Sequence, residues 1–281
     1  MKRVTIQGET GCFHEAAARQ YFEGETIETV PCASFGELFK KMNADRSLLG
    51  IVAIENTIAG SLLQNHELLR KSDLQIIGEY KLRISHVLAA LPDETIADIR
   101  EVNSHPIALM QCEEFLSAHS GLKVVEKDDT AGSAREIAEK GLNGHAAICG
   151  KLAAEIYGLH PLYEGIETNK RNFTRFLVLA DRFYGEDAKL HKGMKDKASL
   201  VFTVQHKQGC LSKVLTILSF YDINLTKIQS MPIIGREWEY RFYVDVTFED
   251  YTRYRQAITA IEPLTGELKI LGEYTECHEE I

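Results

Sequence analysis

Asn169-Lys170-Arg171-Asn172-Phe173-Thr174-Arg175-Phe176-Leu177-Val178-Leu179 changes character in its middle. From Phe176 to Ala180 it is an unbroken apolar run, the pattern of a strand buried on both faces of a parallel sheet. Before that, Lys170, Arg171 and Arg175 surround one hydroxyl, Thr174, where the strand would leave the sheet. Ligands of open α/β sheets bind at strand ends. Three cations and a hydroxyl there point to an anionic small molecule. A basic turn entering an edge strand is the plainer alternative, and this stretch alone leaves both open.

The whole chain narrows the choice. Its 281 residues are enough for two domains, and 44% hydrophobic residues are enough for real cores. A formal net charge of -9 argues against nucleic-acid and anionic-membrane partners, which call for a basic face. It also makes a local basic cluster stand out. The six cysteines are scattered, without C-x-x-C pairs or metal-ligand spacing, so they read as reduced thiols in a cytoplasm and no metal is expected. The N-terminus enters a strand directly, without a basic-then-apolar leader, and no apolar run reaches membrane-spanning length.

Ahead of the basic stretch, short apolar strands alternate with helical periods. Strands are predicted near 4–7, 26–30, 49–54, 101–103, 123–126 and 146–149, and helices near 14–22, 62–71, 95–100, 107–118, 130–140 and 151–157, with a further one opening at Ser34. Ser34 with Glu37 is a capping-box pattern, and Pro106 suits a first helical position. Such alternation predicts parallel sheets. A long strand-like run over 74–91 reads as a crossover, and a second crossing is expected near 165. Two crossings make two lobes with a cleft between them, a natural small-molecule site. Polar residues cluster where strands leave the sheet, at Glu55-Asn56-Thr57 and at Ser104-His105-Pro106 with Gln111 further along the helix. Each could merely cap a turn or a helix.

Residues 182–197 are charged and lack an apolar period, as a linker does. Beyond them the predicted order is strand, helix, strand, strand, helix, strand, the ferredoxin-like βαββαβ arrangement. Gly209 precedes its first helix and Asn224 opens its second strand.

Glu55-Asn56-Thr57, Ser104-His105-Pro106 with Gln111-Cys112, and Asn172-Phe173-Thr174-Arg175-Phe176 resemble the motifs of prephenate dehydratases. Gly209-Cys210-Leu211 with Asn224-Leu225 through Ser230-Met231-Pro232 resembles the regulatory ACT domain fused to them. The match covers nearly the whole chain in order. It implies a catalytic domain over 1–181 that is two-lobed like type II periplasmic binding proteins, with lobe one about 1–77 and 165–181 and lobe two about 78–164. A linker at 182–197 and an ACT domain at 198–281 follow. Glu9 stands where the family usually has proline, and Cys210 replaces a usual alanine. Gln229 and Met231 replace the glutamate and arginine of a regulatory motif.

The resemblance implies conversion of prephenate to phenylpyruvate, with loss of carbon dioxide and of the ring hydroxyl as water and no cofactor. Thr174 then takes the role of donor to the departing oxygen, with His105 as the alternative acid because its reference pKa of about 6.5 is better placed. Asn56, Ser104 and Gln111 would fix the ring, while Arg175, Thr57, His105 and Phe176 would bind the substrate. Glu55, a carboxylate beside a dianion, is expected to point away, to pair with a cation or to be protonated. Gly209, Cys210, Leu211, Asn224 and Leu225 would bind phenylalanine as feedback effector. Partners are prephenate, phenylalanine and a second copy of the chain, as a homodimer through the ACT domain that could pair again to a tetramer. Arogenate dehydratase, with an amino-bearing substrate, and a non-catalytic amino-acid sensor or solute binder are the rival readings.

Overall fold

The computed structural model describes residues 1–185 and 193–277, so 186–192 of the expected linker and 278–281 of the expected C-terminal domain lie outside the described residues. The chain divides into two units. One comprises Met1–Lys41, Leu48–Leu62 and Tyr80–Phe176, and the other Met42–Ser47, Leu63–Glu79 and Leu177–Ile281.

In the first unit, β1 (Lys2–Gln7) leads through α1 (Phe13–Tyr21) to β2 (Ile27–Cys32), then through α2 (Phe35–Ala44) to β3 (Leu49–Asn56). β1 lies parallel to both other strands. The cap expected at Ser34 forms: its Oγ accepts from Glu37 N at 3.2 Å, and the Glu37 carboxylate accepts from Ala33 N at 2.8 Å. β4 (Gly60–Ser61) folds back on β3, and α3 (Leu63–Lys71) and β5 (Leu74–Arg83) follow.

The second lobe begins at β6 (Val87–Ala90) and β7 (Glu101–Ser104). The helix expected at 95–100 is instead a set of turns, in which the Asp98 carboxylate accepts from both Thr95 N (2.9 Å) and Thr95 Oγ1 (2.7 Å). The single helix expected over 107–118 breaks at Cys112 into α4 (Pro106–Gln111) and α5 (Glu113–Ala118). Then come β8 (Lys123–Glu126), α6 (Thr130–Lys140), β9 (His145–Cys149), α7 (Lys151–Ile156) and β10 (His160–Glu164). This sheet has the order β10-β6-β9-β7-β8. It is mixed rather than parallel, since β6 runs antiparallel to both β10 and β9. The reason is topological: β6 brings the chain into the lobe and β10 takes it out at the same end.

β11 (Phe173–Asp181) then returns beside β3. The two crossings run side by side, with Ile166 N donating to His86 O (3.1 Å) and Ile84 N to Asn172 O (2.7 Å). Each lobe has its own apolar core, around Val4, Ile6, Ile51 and Ile54 in one and Leu88, Val102 and Ile148 in the other. Side chains buried to this degree contribute about 1.5–3 kcal/mol apiece. The unit is a two-lobed α/β fold, as the sequence implies.

The second unit continues from α8 (Arg182–Gly185) to β12 (Lys197–Thr203), α9 (Cys210–Phe220), β13 (Asn224–Pro232), β14 (Tyr240–Thr247), α10 (Tyr251–Ile261) and β15 (Glu267–Tyr274). The strand order β13-β14-β12-β15, antiparallel throughout, is ferredoxin-like. α9 and α10 cover one face over Leu200, Phe202, Val244 and Val246. α3 and the start of β5 belong to this unit, whereas the sequence places them in lobe one. Lys269 Nζ donates to Arg70 O and Ser72 O, both at 2.8 Å, and Gly272 pairs with Ile76. A Cβ at Gly272 would lie 2.3 Å from Ile76 O, so only glycine permits this approach.

Candidate active site

The first unit holds a cavity of about 350 Å³. The start of α1, the end of β3, the residues after β5, the starts of α4 and α6, and β11 all contribute to its wall. Alternation along β11 turns Thr174 and Phe176 inward and Arg175 away from the cavity.

Thr174 is oriented by Asn56. The Asn56 carbonyl accepts from Ile58 N (2.9 Å) and Ala59 N (2.8 Å), which fixes which way the amide faces. Its Nδ2 then donates to Thr174 Oγ1 (2.9 Å) and Asn172 Oδ1 (2.8 Å). Because Thr174 Oγ1 receives a hydrogen bond, its own O–H is left to donate. Both side chains are buried, so a substrate would meet that donor out of bulk water.

Three histidines reach the wall. His14 Nε2 accepts from Ala53 N at 3.3 Å, and complete burial lowers its pKa to about 3, so it stays neutral. His86 Nε2 meets Gln111 Oε1 at 2.9 Å, and burial also lowers its pKa. His105 Nδ1 accepts from Ile107 N at 3.2 Å as the cap of α4, which makes Nε2 its N–H. Asp129 caps α6 through Gly132 N at 2.7 Å; burial, aided by the charge of Glu9, raises its carboxyl above the ordinary range. Cys12 is no nucleophile: burial pushes its thiol up to about 12, and Sγ is spent on Gln7 O.

The prephenate dehydratase family model matches residues 4–183. A relative from Arabidopsis thaliana, arogenate dehydratase/prephenate dehydratase 2, chloroplastic, is 36% identical over 97% of this chain and 72% of its own length. The chain belongs to the prephenate dehydratase family. Two solved structures are similar over nearly its whole length. Prephenate dehydratase from Arthrobacter aurescens in complex with L-Phe has a TM-score of 0.85 and 27% identity, covering 97% of this chain and 89% of its own. GqqA, described as a novel type of quorum quenching acylase, has a TM-score of 0.86 and 31% identity, covering 98% of each chain. Family membership makes this chain a carbon–oxygen lyase.

For a prephenate dehydratase the site departs from the sequence reading in three residues. Ser104 does not line the cavity; fully buried, it donates to Ile148 O at 2.5 Å and ties β7 to β9. Thr57 braces a turn, donating to Arg171 O and accepting from Phe173 N, both at 3.0 Å. Arg175 faces Glu55 at 3.9 Å, which also answers where Glu55 finds its cation. The basic cluster is likewise not part of the wall. Lys170 Nζ donates to Gly165 O and Glu167 O, closing the second crossing, and among the described residues no lysine or arginine lines the cavity. The structure does bring together Asn56, Gln111, His105, Thr174 and Phe176. It adds His14, His86 and Asp129, which carry no spacing signal; Asn172, inside the quoted stretch, does not line the cavity but accepts from Asn56 Nδ2.

In the second unit Gly209 caps α9 with φ +77, a conformation that suits glycine, and Cys210 and Leu211 follow in the helix. A cavity of about 310 Å³ there is lined by His206, Lys207, Leu211, Trp238, Tyr240 and Phe242. Ser230 and Pro232 pair with Phe242 and Tyr240, at this same end. Asn224 pairs with Thr247 at the opposite end of β13, and Leu225 packs on the helix-covered core, so one chain does not bring these two to Gly209.

Proposed function

We propose that the chain dehydrates and decarboxylates prephenate to phenylpyruvate at the cavity of its first unit, with 1–181 as the catalytic domain and 198–281 as a phenylalanine-sensing ACT domain. The orientation of the Thr174 hydroxyl by Asn56 carries this reading. The bond from the ring to its carboxylate breaks and carbon dioxide leaves. The electron pair moves through the ring, which becomes aromatic, and the ring carbon–oxygen bond breaks; the departing hydroxide takes up one proton, drawn ultimately from solvent, and leaves as water. Aromatisation supplies most of the drive. Thr174 O–H shares the charge that builds on the departing oxygen, and an aimed dipole in a dry site counts for more than it would in water. Gln111 and His105 Nε2–H are the further donors on the wall, and Phe176 covers the ring.

Arogenate is a second substrate on this reading. The wall carries Asp128 and Asp129 and, among the described residues, no lysine or arginine. That balance suits a substrate whose side chain bears an ammonium, and the Arabidopsis relative is named for both activities. Phenylalanine as effector is supported by the Arthrobacter complex and by the aromatic cavity at the start of α9. A homodimer would protect β13, the edge strand of its sheet, whose side chains alternate between exposed and half-buried. With two chains, Asn224 of one could approach Gly209 of the other. The cytoplasm suits cysteines that are all free among the described residues. No helix among those residues is long and apolar enough to cross a membrane.

One experiment tests the assignment: carbon dioxide release from prephenate and from arogenate, each with and without phenylalanine. Turnover of either substrate supports the lyase, and the ratio of the two kcat/KM values ranks them. Turnover unaffected by millimolar phenylalanine would remove the sensor.

A further inference from the structure

We propose that His86 is a positioning residue: it holds the Gln111 carbonyl so that the amide NH2 faces the cavity as the donor to a substrate carboxylate. The proposal rests on the cavity being the active site. It answers how a site whose described wall has no lysine or arginine can hold a carboxylate.

Gln111 is buried at the end of α4 and held at both of its carbonyls. Its backbone oxygen accepts from Thr168 N at 2.8 Å, and its side-chain Oε1 meets His86 Nε2 at 2.9 Å. Its Nε2 has no partner among the described residues and belongs to a side chain on the cavity wall. The ring of His86 is fixed in turn. Its backbone N donates to the buried Glu167 carboxylate at 2.9 Å, its backbone O accepts from Ile166 N at 3.1 Å, and the Phe13 ring stands edge-on 5.4 Å away.

Two arrangements of the pair are conceivable, and they are not equal in energy. With Nε2–H donating to the Gln111 carbonyl, the buried, partnerless Nδ1 is a bare lone pair. With the amide flipped, Gln111 would donate to Nε2, and Nδ1–H would be a buried donor without an acceptor. Orphaned buried N–H groups are rarer and costlier than under-used acceptors. The first arrangement is therefore the stable one, and it leaves the NH2 group for the substrate. Asn56 is fixed by the same logic from the other side, through two backbone N–H groups on its carbonyl.

The test is steady-state kinetics on the full chain, with the better of the two substrates, in variants that differ in where an N–H can be placed. His86→Gln sets an amide N–H near the position of Nε2, and His86→Asn sets one near Nδ1. His86→Asn and His86→Leu should raise KM about tenfold, the worth of one hydrogen bond to a charged group, with kcat changed less than about threefold. His86→Gln should restore KM to within about threefold of the starting enzyme. Gln111→Leu should match His86→Leu, and the double variant should be no worse than either single one. Equal KM values for the Asn and Gln variants, or additive losses in the double variant, would overturn the assignment even if one variant folds poorly. Absence of turnover of both substrates by the unaltered chain would instead remove the active-site reading, and this proposal with it.

Discussion

The cavity of the first unit and the polar face of the second handle buried polarity in opposite ways. Beside two aspartates, the cavity wall carries a hydroxyl, two amides and three histidines, each of these aimed by a partner rather than by a counter-charge. In the second unit the buried polar groups include full charges paired with one another. Lys197 Nζ donates to Glu79 and Glu276, both at 2.9 Å. Ser199 donates to Asp245 at 2.5 Å, and Tyr243 to Glu67 at 2.8 Å. A buried charge must have its counter-charge in place at all times, because its desolvation is otherwise uncompensated. A cation left open for a substrate would bear that cost in every empty site. Neutral dipoles, oriented in advance, cost less to leave waiting.

Removing one partner of the charged set should have the largest effect. Lys197→Met takes the ammonium from two carboxylates, one of them fully buried, and should lower stability by about 3–5 kcal/mol in denaturant unfolding. A loss below about 1 kcal/mol would mean that the pairing contributes little. At the cavity, Thr174→Ala should lower kcat by about 10²–10³ with little change in KM, because the bond strengthens only as the hydroxyl leaves. Thr174→Ser should keep most of the rate. Comparable mild losses in both variants would move the donor role to His105.

A smaller effect is expected at Glu67. Hydrogen bonds from Arg70 chiefly, and from Tyr243 and Lys71, hold its carboxyl down at about 2. The folded value lies below the unfolded one, so the stabilisation is fully present above the ordinary carboxylate range and is lost as pH falls towards 2. The unaltered chain should therefore lose more stability between pH 5 and pH 2 than Glu67→Gln, and parallel pH profiles would contradict this. The smallest effect should come from Arg175→Lys. It keeps a cation near Glu55, and Arg175 does not line the cavity, so KM should change less than about threefold. A large rise in KM would return Arg175 to the substrate and break the contrast between the two regions.

Much of this was legible along the chain. The apolar run from Phe176, the βα alternation before it and the βαββαβ order after it depend on local period and turn chemistry, which neighbouring residues carry. Thr174, Asn56 and Gln111 stand at strand and helix ends, where period alone marks a ligand-facing position. What period could not decide was which polar residue at each end turns inward. Thr57, Ser104 and Arg175 look as suitable as their neighbours, yet the first braces a turn, the second ties two strands, and strand alternation directs the third to Glu55. The cluster of Lys170, Arg171 and Arg175 misled for the same reason, since charge along a sequence says nothing about the face each side chain occupies. Partnerships such as His86 with Gln111, Asn56 with Asn172, and Lys197 with Glu79 and Glu276 join residues far apart in the chain. Elements and family motifs can be read along the chain because they are local. Which amide faces the cavity, and which charge is spent on another, emerges only on folding, because hydrogen bonds and ion pairs act through space.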